Sequence, residues 1–438
     1  MELKVVKFGG SSLADANQFK KVRDIIFADA SRQFVVPSAP GKRFKDDTKV
    51  TDMLYQCYEK ASRGENFDSL FENIRERYNT IISDLGVDIS LEEDFSAIKY
   101  AFSHKSGRDF AASRGEYLNG KILAKYIGYD FIDAANVIYF NADGTFDSDL
   151  TNEILSTVLK SHPRAVIPGF YGSMPNDTIK TFSRGGSDIT GSIVARAANA
   201  TLYENWTDVS GFLMADPRII KDPKTIEYIT YRELRELSYM GATVLHEDAV
   251  FPVRVAGIPI NIKNTNAPED KGTMIVSEVP DNATPTRITG IAGKKNFSVV
   301  RIEKDMMNQE LGFGRRVLEA FEKNGISFEH LPSGIDTMSV VVAESALVGK
   351  RDQLVLDIAK SVNPDHIAIE EGYALIAVVG RGMIRSKGTA SRIFSALYNS
   401  GINVRMIDQG SSELNIIISV DNEAFEDAMN AIYNAFLD

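Results

Sequence analysis

Through the first half of this chain, short apolar runs that stop at glycine alternate with helix-length amphipathic stretches. Few folds accommodate that pattern. Residues 3–8 (Leu-Lys-Val-Val-Lys-Phe) read as a strand closed by Gly9-Gly10-Ser11-Ser12. Residues 16–30 then carry helical periodicity through Phe19, Val22, Ile25 and Ile26. A second strand, Gln33-Phe34-Val35-Val36, ends in Pro37-Ser38-Ala39-Pro40-Gly41, and 42–49 reads as a mobile, charged loop. Helical patterns fill about 51–85 and 92–127, strand-like runs 129–132 and 137–139, a helix 148–160 and a strand 165–168. A loop or hairpin follows over 169–184, then a helix over 187–200 and a strand over 202–206. Such alternation predicts an α/β sheet covered by helices on both faces, with ligands beyond the carboxyl ends of the strands.

The rhythm changes after about 268–285. Strand 297–304, helix 314–324, strands 327–332 and 337–343, helix 350–362 and strand 366–369 make a βαββαβ, ferredoxin-like unit. A second pass runs through strand 374–379, helix 389–400, strands 403–409 and 413–420 and helix 423–436, one strand short. Residues 286–295 are expected to complete it, so that the first unit is inserted into the second. The two units are an internal repeat with few catalytic residue types, which suits binding or regulation. The expected domains are therefore 1–285, 296–371, and 286–295 plus 372–438.

The 438 residues are 44% hydrophobic and 25% charged, ordinary for a soluble globular chain and against disorder. The net charge of −11 disfavours general binding to nucleic acid or anionic membrane. The single cysteine, Cys57, forms no internal disulfide, and the five histidines show no zinc-site spacing. With neither a signal core nor an 18-residue apolar run, the expected location is cytoplasmic.

Three segments carry chemistry. In Lys7-Phe8-Gly9-Gly10-Ser11-Ser12 the glycines let backbone N–H groups approach an anion, and Lys7 at the strand end aims at the same place. It is neither a Walker loop nor a GxGxxG fingerprint. In Thr181-Phe182-Ser183-Arg184-Gly185-Gly186-Ser187-Asp188 a glycine pair again precedes a helix N-terminus, and Arg184 offers a fork for a carboxylate. Asp188, or Ser187, there reads equally well as a helix cap. In Trp206-Thr207-Asp208-Val209-Ser210-Gly211, with Asp216-Pro217-Arg218 after it, a strand ends in a polar turn. That is either ordinary turn chemistry or a base pocket with a phosphate-binding arginine.

In this order the segments resemble the amino-acid kinase superfamily and, within it, the aspartate kinases. Val35-Val36-Pro37-Ser38-Ala39, Gly115-Glu116, and Gly241-Ala242-Thr243-Val244-Leu245-His246 follow in family order. Asn403-Val404-Arg405-Met406-Ile407-Asp408-Gln409-Gly410-Ser411-Ser412-Glu413 resembles the signature of the family's C-terminal ACT repeats. The likeness covers nearly the whole chain without a dehydrogenase extension, so it is to a monofunctional enzyme.

The resemblance implies an amino-acid-kinase-type sheet between helices, followed by two ACT units. It implies transfer of the γ-phosphoryl group of ATP, with Mg²⁺, to the β-carboxylate of L-aspartate, under feedback control by lysine or threonine. It assigns catalysis to Lys7 and Asp188, and ATP binding to Gly9, Gly10, Ser11, Ser38, Thr207, Asp208 and Arg218. Substrate binding falls to Thr51, Glu116, Phe170, Arg184 and Ser187, with Glu116 taking the substrate ammonium. Effector binding falls to Met306, Met307, Leu311, Gly312, Glu329 and Asp336, and self-association through the ACT units to at least a homodimer. Two departures stand out: Thr243 occupies the place of a nucleotide-side lysine, for which Lys221, Lys263 or Arg254 would substitute, and Leu213 that of a nucleotide-pocket tyrosine. Two alternatives stay open: a kinase for another acidic amino acid, and a non-catalytic amino-acid sensor on a decayed kinase fold.

Overall fold

The structure, a computed structural model, describes residues 2–437 apart from 184, 243, 244, 246 and 285. It divides into two compact units. The first comprises Met1–Phe212, Thr225–Tyr231 and Val244–Asp281, and the second Leu213–Lys224, Arg232–Thr243 and Asn282–Asp438.

The first unit is built on β1 (Lys4–Phe8), β2 (Arg32–Pro37), β3 (Asp130–Phe131), β4 (Ala165–Val166), a separate hairpin of β5 (Tyr171–Ser173) and β6 (Ile179–Thr181), β7 (Leu202–Thr207), β8 (Tyr228–Thr230), β9 (Ile260–Asn264) and β10 (Thr273–Val276). Apart from the hairpin these form one eight-stranded sheet in the order β3-β4-β2-β1-β7-β9-β10-β8. Every neighbouring pair is parallel except β9–β10. Strand side chains alternate between faces, and β1 uses both. Val6 and Phe8 enter an apolar core with the helices Ala16–Phe27, Val50–Ser62, Asp68–Leu85, Glu92–Ser103 and Arg108–Ile127. Val5 and Lys7 point to the other face, where the helix Gly186–Ala197 packs on β1, β2 and β7. Cys57 lies wholly inside that apolar core, where burial pushes its thiol up to about 12.

Two expectations change here. The helical stretches 51–85 and 92–127 are each broken in two, at 63–67 and 104–107. Each break holds a glycine at positive φ, Gly64 and Gly107, a conformation that interrupts a helix. The 42–49 loop, expected to be mobile, is tied down. Asp47 pairs with Arg43 at 2.8 Å and with Arg77 at 3.3 Å, and the buried Arg77 also donates to the carbonyls of Thr48, Gly41 and Ala14. The two guanidinium groups hold the Asp47 carboxyl well below its usual range.

The second unit carries β11 (Gly290–Glu303), β12 (Thr337–Ala343), β13 (His366–Val379), β14 (Met406–Asp408) and β15 (Asn415–Asp421), in the order β12-β11-β13-β15-β14, all antiparallel. Gly290–Lys294 pairs with Leu375–Val379, the strand that the second ferredoxin-like repeat lacked, so the first repeat is inserted into the second. The expected short strands at the repeat junctions are instead two 14-residue strands, β11 and β13, that run through both repeats. The register slips between Lys294 and Val299, around Asn296 at positive φ. That bulge is the joint between the repeats. Residues 327–332, expected as a strand, make only isolated bridges from His330 and Ser333 to β12. Each repeat keeps its own apolar core.

Candidate active site

Lys7 and Asn205 are register partners on the adjacent parallel strands β1 and β7, and both are buried. They share a face with Tyr203, whose hydroxyl donates to the Asp188 carbonyl at 3.2 Å. The helix Gly186–Ala197 approaches Tyr203 so closely that a Cβ on Gly191 would stand 2.4 Å from the phenol oxygen. That approach carries Asp188, in the first helical turn, onto the lysine. The Lys7 ammonium meets Asp188 Oδ1 at 2.6 Å. Asp188 therefore does not cap its helix; the N-cap is Gly185, in the left-handed region and without a side-chain bond.

The turn after β1 lies against the turn after β2. A Cβ on Gly41 would fall 2.5 Å from the Gly10 carbonyl carbon, and one on Gly10 2.9 Å from the Ala39 carbonyl oxygen. Two backbones in contact leave no room for side chains. Their glycines form one wall of a cavity of about 570 Å³. It is lined by Lys7, Gly9, Gly10, Ser11, Ser38, Thr51, Glu116, Asp188, Thr207 and Asp208, all singled out from sequence. Asn205 and the cations Lys42 and Lys49 also line it. These three carry no local signal of a site: Asn205 is one residue in the middle of a strand, and the lysines belong to a loop legible only as charged.

Glu116 is only 5% exposed. Its Oε2 makes no hydrogen bond, and burial raises its carboxyl to about 8. Ser38 opposite is held through its carbonyl by Asn119 Nδ2 at 2.7 Å. A buried carboxyl with a raised pKa and an unused oxygen beside an open cavity is the kind of perturbed group that marks a candidate functional site.

Other predicted residues lie elsewhere. Phe170 and Ser187 do not line the cavity; they pack together where the hairpin meets the helix start, Ser187 on Gly169 and Phe170 on Gly186. Arg184, Thr243 and His246 fall outside the described residues. Leu213, Arg218 and Lys221 belong to the second unit. There Arg218, its side chain 85% exposed, forks onto Asp216. Lys263 lies over the Trp206 ring at 5.3 Å, the pKa of its ammonium lowered by burial, and Arg254 lies in the last turn of the helix Glu247–Ala256. Neither lines the cavity.

In the second unit, Asp336 accepts from the Met306 N–H at 3.0 Å. Lys304 and Arg316 both pair with Glu310. The 305–312 loop is thus shaped from within, with Met306 in the left-handed region and Leu311 95% exposed. Met307 opens its short 3₁₀ turn, and Gly312 is the N-cap of the next helix. Glu329 accepts instead from the Tyr239 hydroxyl at 2.5 Å.

Residues 2–264 match the amino acid kinase family and residues 376–436 an ACT domain. The chain is 37% identical to aspartokinase 3 of Bacillus subtilis over 99% of its own length and 98% of that protein. It is 30% identical to chloroplastic aspartokinase 1 of Arabidopsis thaliana over 99% of this chain and 80% of that one. The aspartate kinase of Clostridium acetobutylicum, described as an allosteric enzyme, superposes with a TM-score of 0.90 at 54% identity over 100% of both chains. Aspartokinase III of E. coli, solved with aspartate and ADP, shares the fold at a TM-score of 0.75 and 23% identity, with 100% of each chain covered. On likeness that runs the full length of bacterial relatives and through both units, this chain belongs to the aspartokinase family, an ATP-dependent kinase region followed by an ACT regulatory region.

Proposed function

We propose that this chain transfers the γ-phosphoryl group of ATP to the β-carboxylate of L-aspartate, giving ADP and 4-phospho-L-aspartate. One observation carries the reading: the Lys7–Asp188 pair, the glycine turns and the unpaired Glu116 carboxyl line a single cavity. A carboxylate oxygen forms the new bond to the γ-phosphorus, the bond to the β–γ bridging oxygen breaks, and its electron pair leaves with ADP. The nucleophile is already ionised at neutral pH, so catalysis rests on positioning and charge. Lys7 neutralises the transferring phosphoryl group, and Asp188 orients Lys7. Backbone groups of Gly9, Gly10 and Ser11, with Ser38, hold phosphates, and Thr207 and Asp208 hold the nucleotide. Glu116 takes the substrate ammonium with Thr51 beside it; Phe170 and Ser187, which do not line the cavity, stay in the substrate proposal on sequence grounds alone. Arg184, for a substrate carboxylate, and Arg218, for the nucleotide, stay in the proposal on sequence grounds alone.

Among the described residues no three potential metal ligands gather. Magnesium typically keeps waters and binds through phosphates with one or two carboxylates. Asp208, hydrogen-bonded to the Thr207 hydroxyl, fits that supporting role. The ion would supply charge neutralisation at the phosphates.

In the second unit the loop 306–314 would take an amino-acid effector, lysine first and threonine second, with Asp336 or Glu329 meeting its amino group. The proposal includes a homodimer formed through the ACT units and a cytoplasmic location.

The test is ADP release with L-aspartate and with succinate, for the wild type and Lys7→Ala. We expect turnover of aspartate only, and at least about a hundredfold loss in the variant. An undiminished Lys7→Ala rate removes Lys7 from the mechanism, and equal use of succinate removes Glu116 from substrate selection.

A further inference from the structure

Lys7 has a second fixed partner besides its carboxylate. Asn205, 3% exposed, donates from Nδ2 to Asp188 Oδ1 at 2.8 Å, the same oxygen that takes the Lys7 ammonium. Its own Oδ1 accepts from Lys7 Nζ at 3.5 Å. The amide orientation follows from chemistry: a carboxylate only accepts and an ammonium only donates, so one orientation serves both. The three side chains close a triangle on one wall of the cavity.

We propose that Asn205 is a positioning residue for phosphoryl transfer, holding Asp188 and Lys7 in one arrangement without adding charge. This rests on the kinase reading above. An ammonium has three donors. One goes to Asp188 and one is steered by Asn205, which leaves the third for a phosphoryl oxygen beside Gly9, where a Cβ would lie only 3.6 Å from Nζ. The neutrality of the amide matters as much as its hydrogen bonds. Lys7 and Asp188 already cancel in formal charge, so a second carboxylate at this place would leave the triangle net negative where it must face a triphosphate. An apolar residue would spare the charge but leave Asp188 Oδ1 one donor short and free to swing. Asparagine meets both conditions.

The experiment measures kcat and KM for Asn205→Leu, Asn205→Asp, Asp188→Asn and the Asn205→Leu/Asp188→Asn pair, with ADP binding followed by calorimetry. For Asn205→Leu we expect kcat to fall at least about tenfold while aspartate KM and ADP affinity stay within about twofold, because a positioning loss appears in the transition state. Beside Asp188→Asn the same change should cost little, since residues acting as a unit are not additive. In Asn205→Asp two carboxylates within hydrogen-bond distance cannot both ionise readily. Its kcat should therefore recover as pH is lowered, an acid branch the wild type lacks. An Asn205→Leu kcat within twofold of wild type, or a full loss repeated in the Asp188→Asn background, overturns the proposal. So does an Asn205→Asp profile parallel to wild type. Wild-type turnover of aspartate separately tests the kinase reading, and ADP binding distinguishes a folded variant from a collapsed one.

Discussion

Glu116 shows most clearly what one residue's surroundings do to its chemistry. In the sequence it is a glutamate in a helical stretch, where most glutamates face water. In the structure it is buried with one oxygen unused and its carboxyl raised to about 8. Only the ionised form can pair with a substrate ammonium. kcat/KM for aspartate should therefore rise with pH through a midpoint near 8 to a plateau above it, while kcat changes little. Glu116→Gln should flatten that rise and increase aspartate KM by about tenfold or more, the scale of a lost charge-assisted bond. The same shift sets a stability trend. A carboxyl whose folded pKa lies above its unfolded one keeps its proton longer in the native state. Stability then falls as pH climbs from about 4.5 to 8, by at most about 1.4 kcal/mol per unit. Urea unfolding of the ligand-free protein across that range should show the slope, and Glu116→Gln should lose it.

At the scale of elements, the cavity exists because two turns touch. The glycine after β1 was legible as a phosphate-approach signal. Gly41 was legible only as the end of a turn. The contact between Gly10 and Gly41 makes both obligatory. Gly41→Ala places a Cβ against backbone, which cannot give way as a flexible side chain can. We expect a loss of about 1–3 kcal/mol in urea unfolding, the usual cost of overpacking, together with a raised KM for ATP. An unchanged ATP KM would separate this contact from the nucleotide site. The helix over Tyr203 follows the same logic. Nothing local in Asp188 said that its helix would bring it to Lys7.

For the molecule as a whole, the C-terminal sheet is one object made from two repeats. Its strands β11 and β13 serve both, so a change in either repeat strains a shared backbone. In the same unit Glu233, fully buried in the helix Tyr231–Tyr239, accepts from the Thr289 hydroxyl and from Arg381 through both its backbone N–H and its guanidinium. Removing one partner of a buried pair leaves an unpaired charge, so Glu233→Ala should cost about 3–5 kcal/mol, read as a lowered urea midpoint of the intact protein. Regulation is tested by assaying kinase activity with lysine and threonine separately and together. Inhibition by either supports an effector site, and light scattering with and without the inhibitor checks the dimer. Such inhibition requires differential affinity for two arrangements. An effector that leaves the rate unchanged at saturation is excluded as a regulator.

Most of the order of strands and helices, the repeat, the insertion of one ferredoxin-like unit in the other and the glycine turns were readable from the chain alone, because they depend on spacing, on side-chain period and on the backbone freedom of glycine, all of which act between near neighbours. Lys7 and Asp188 were singled out together only by family resemblance. The burial of Glu116, the pinning of the 42–49 loop by Arg77 and the closing of the Lys7–Asp188–Asn205 triangle emerged only in three dimensions. Lys7 and Asn205 stand 198 positions apart, and a property made by two distant segments meeting leaves no periodic trace in either one.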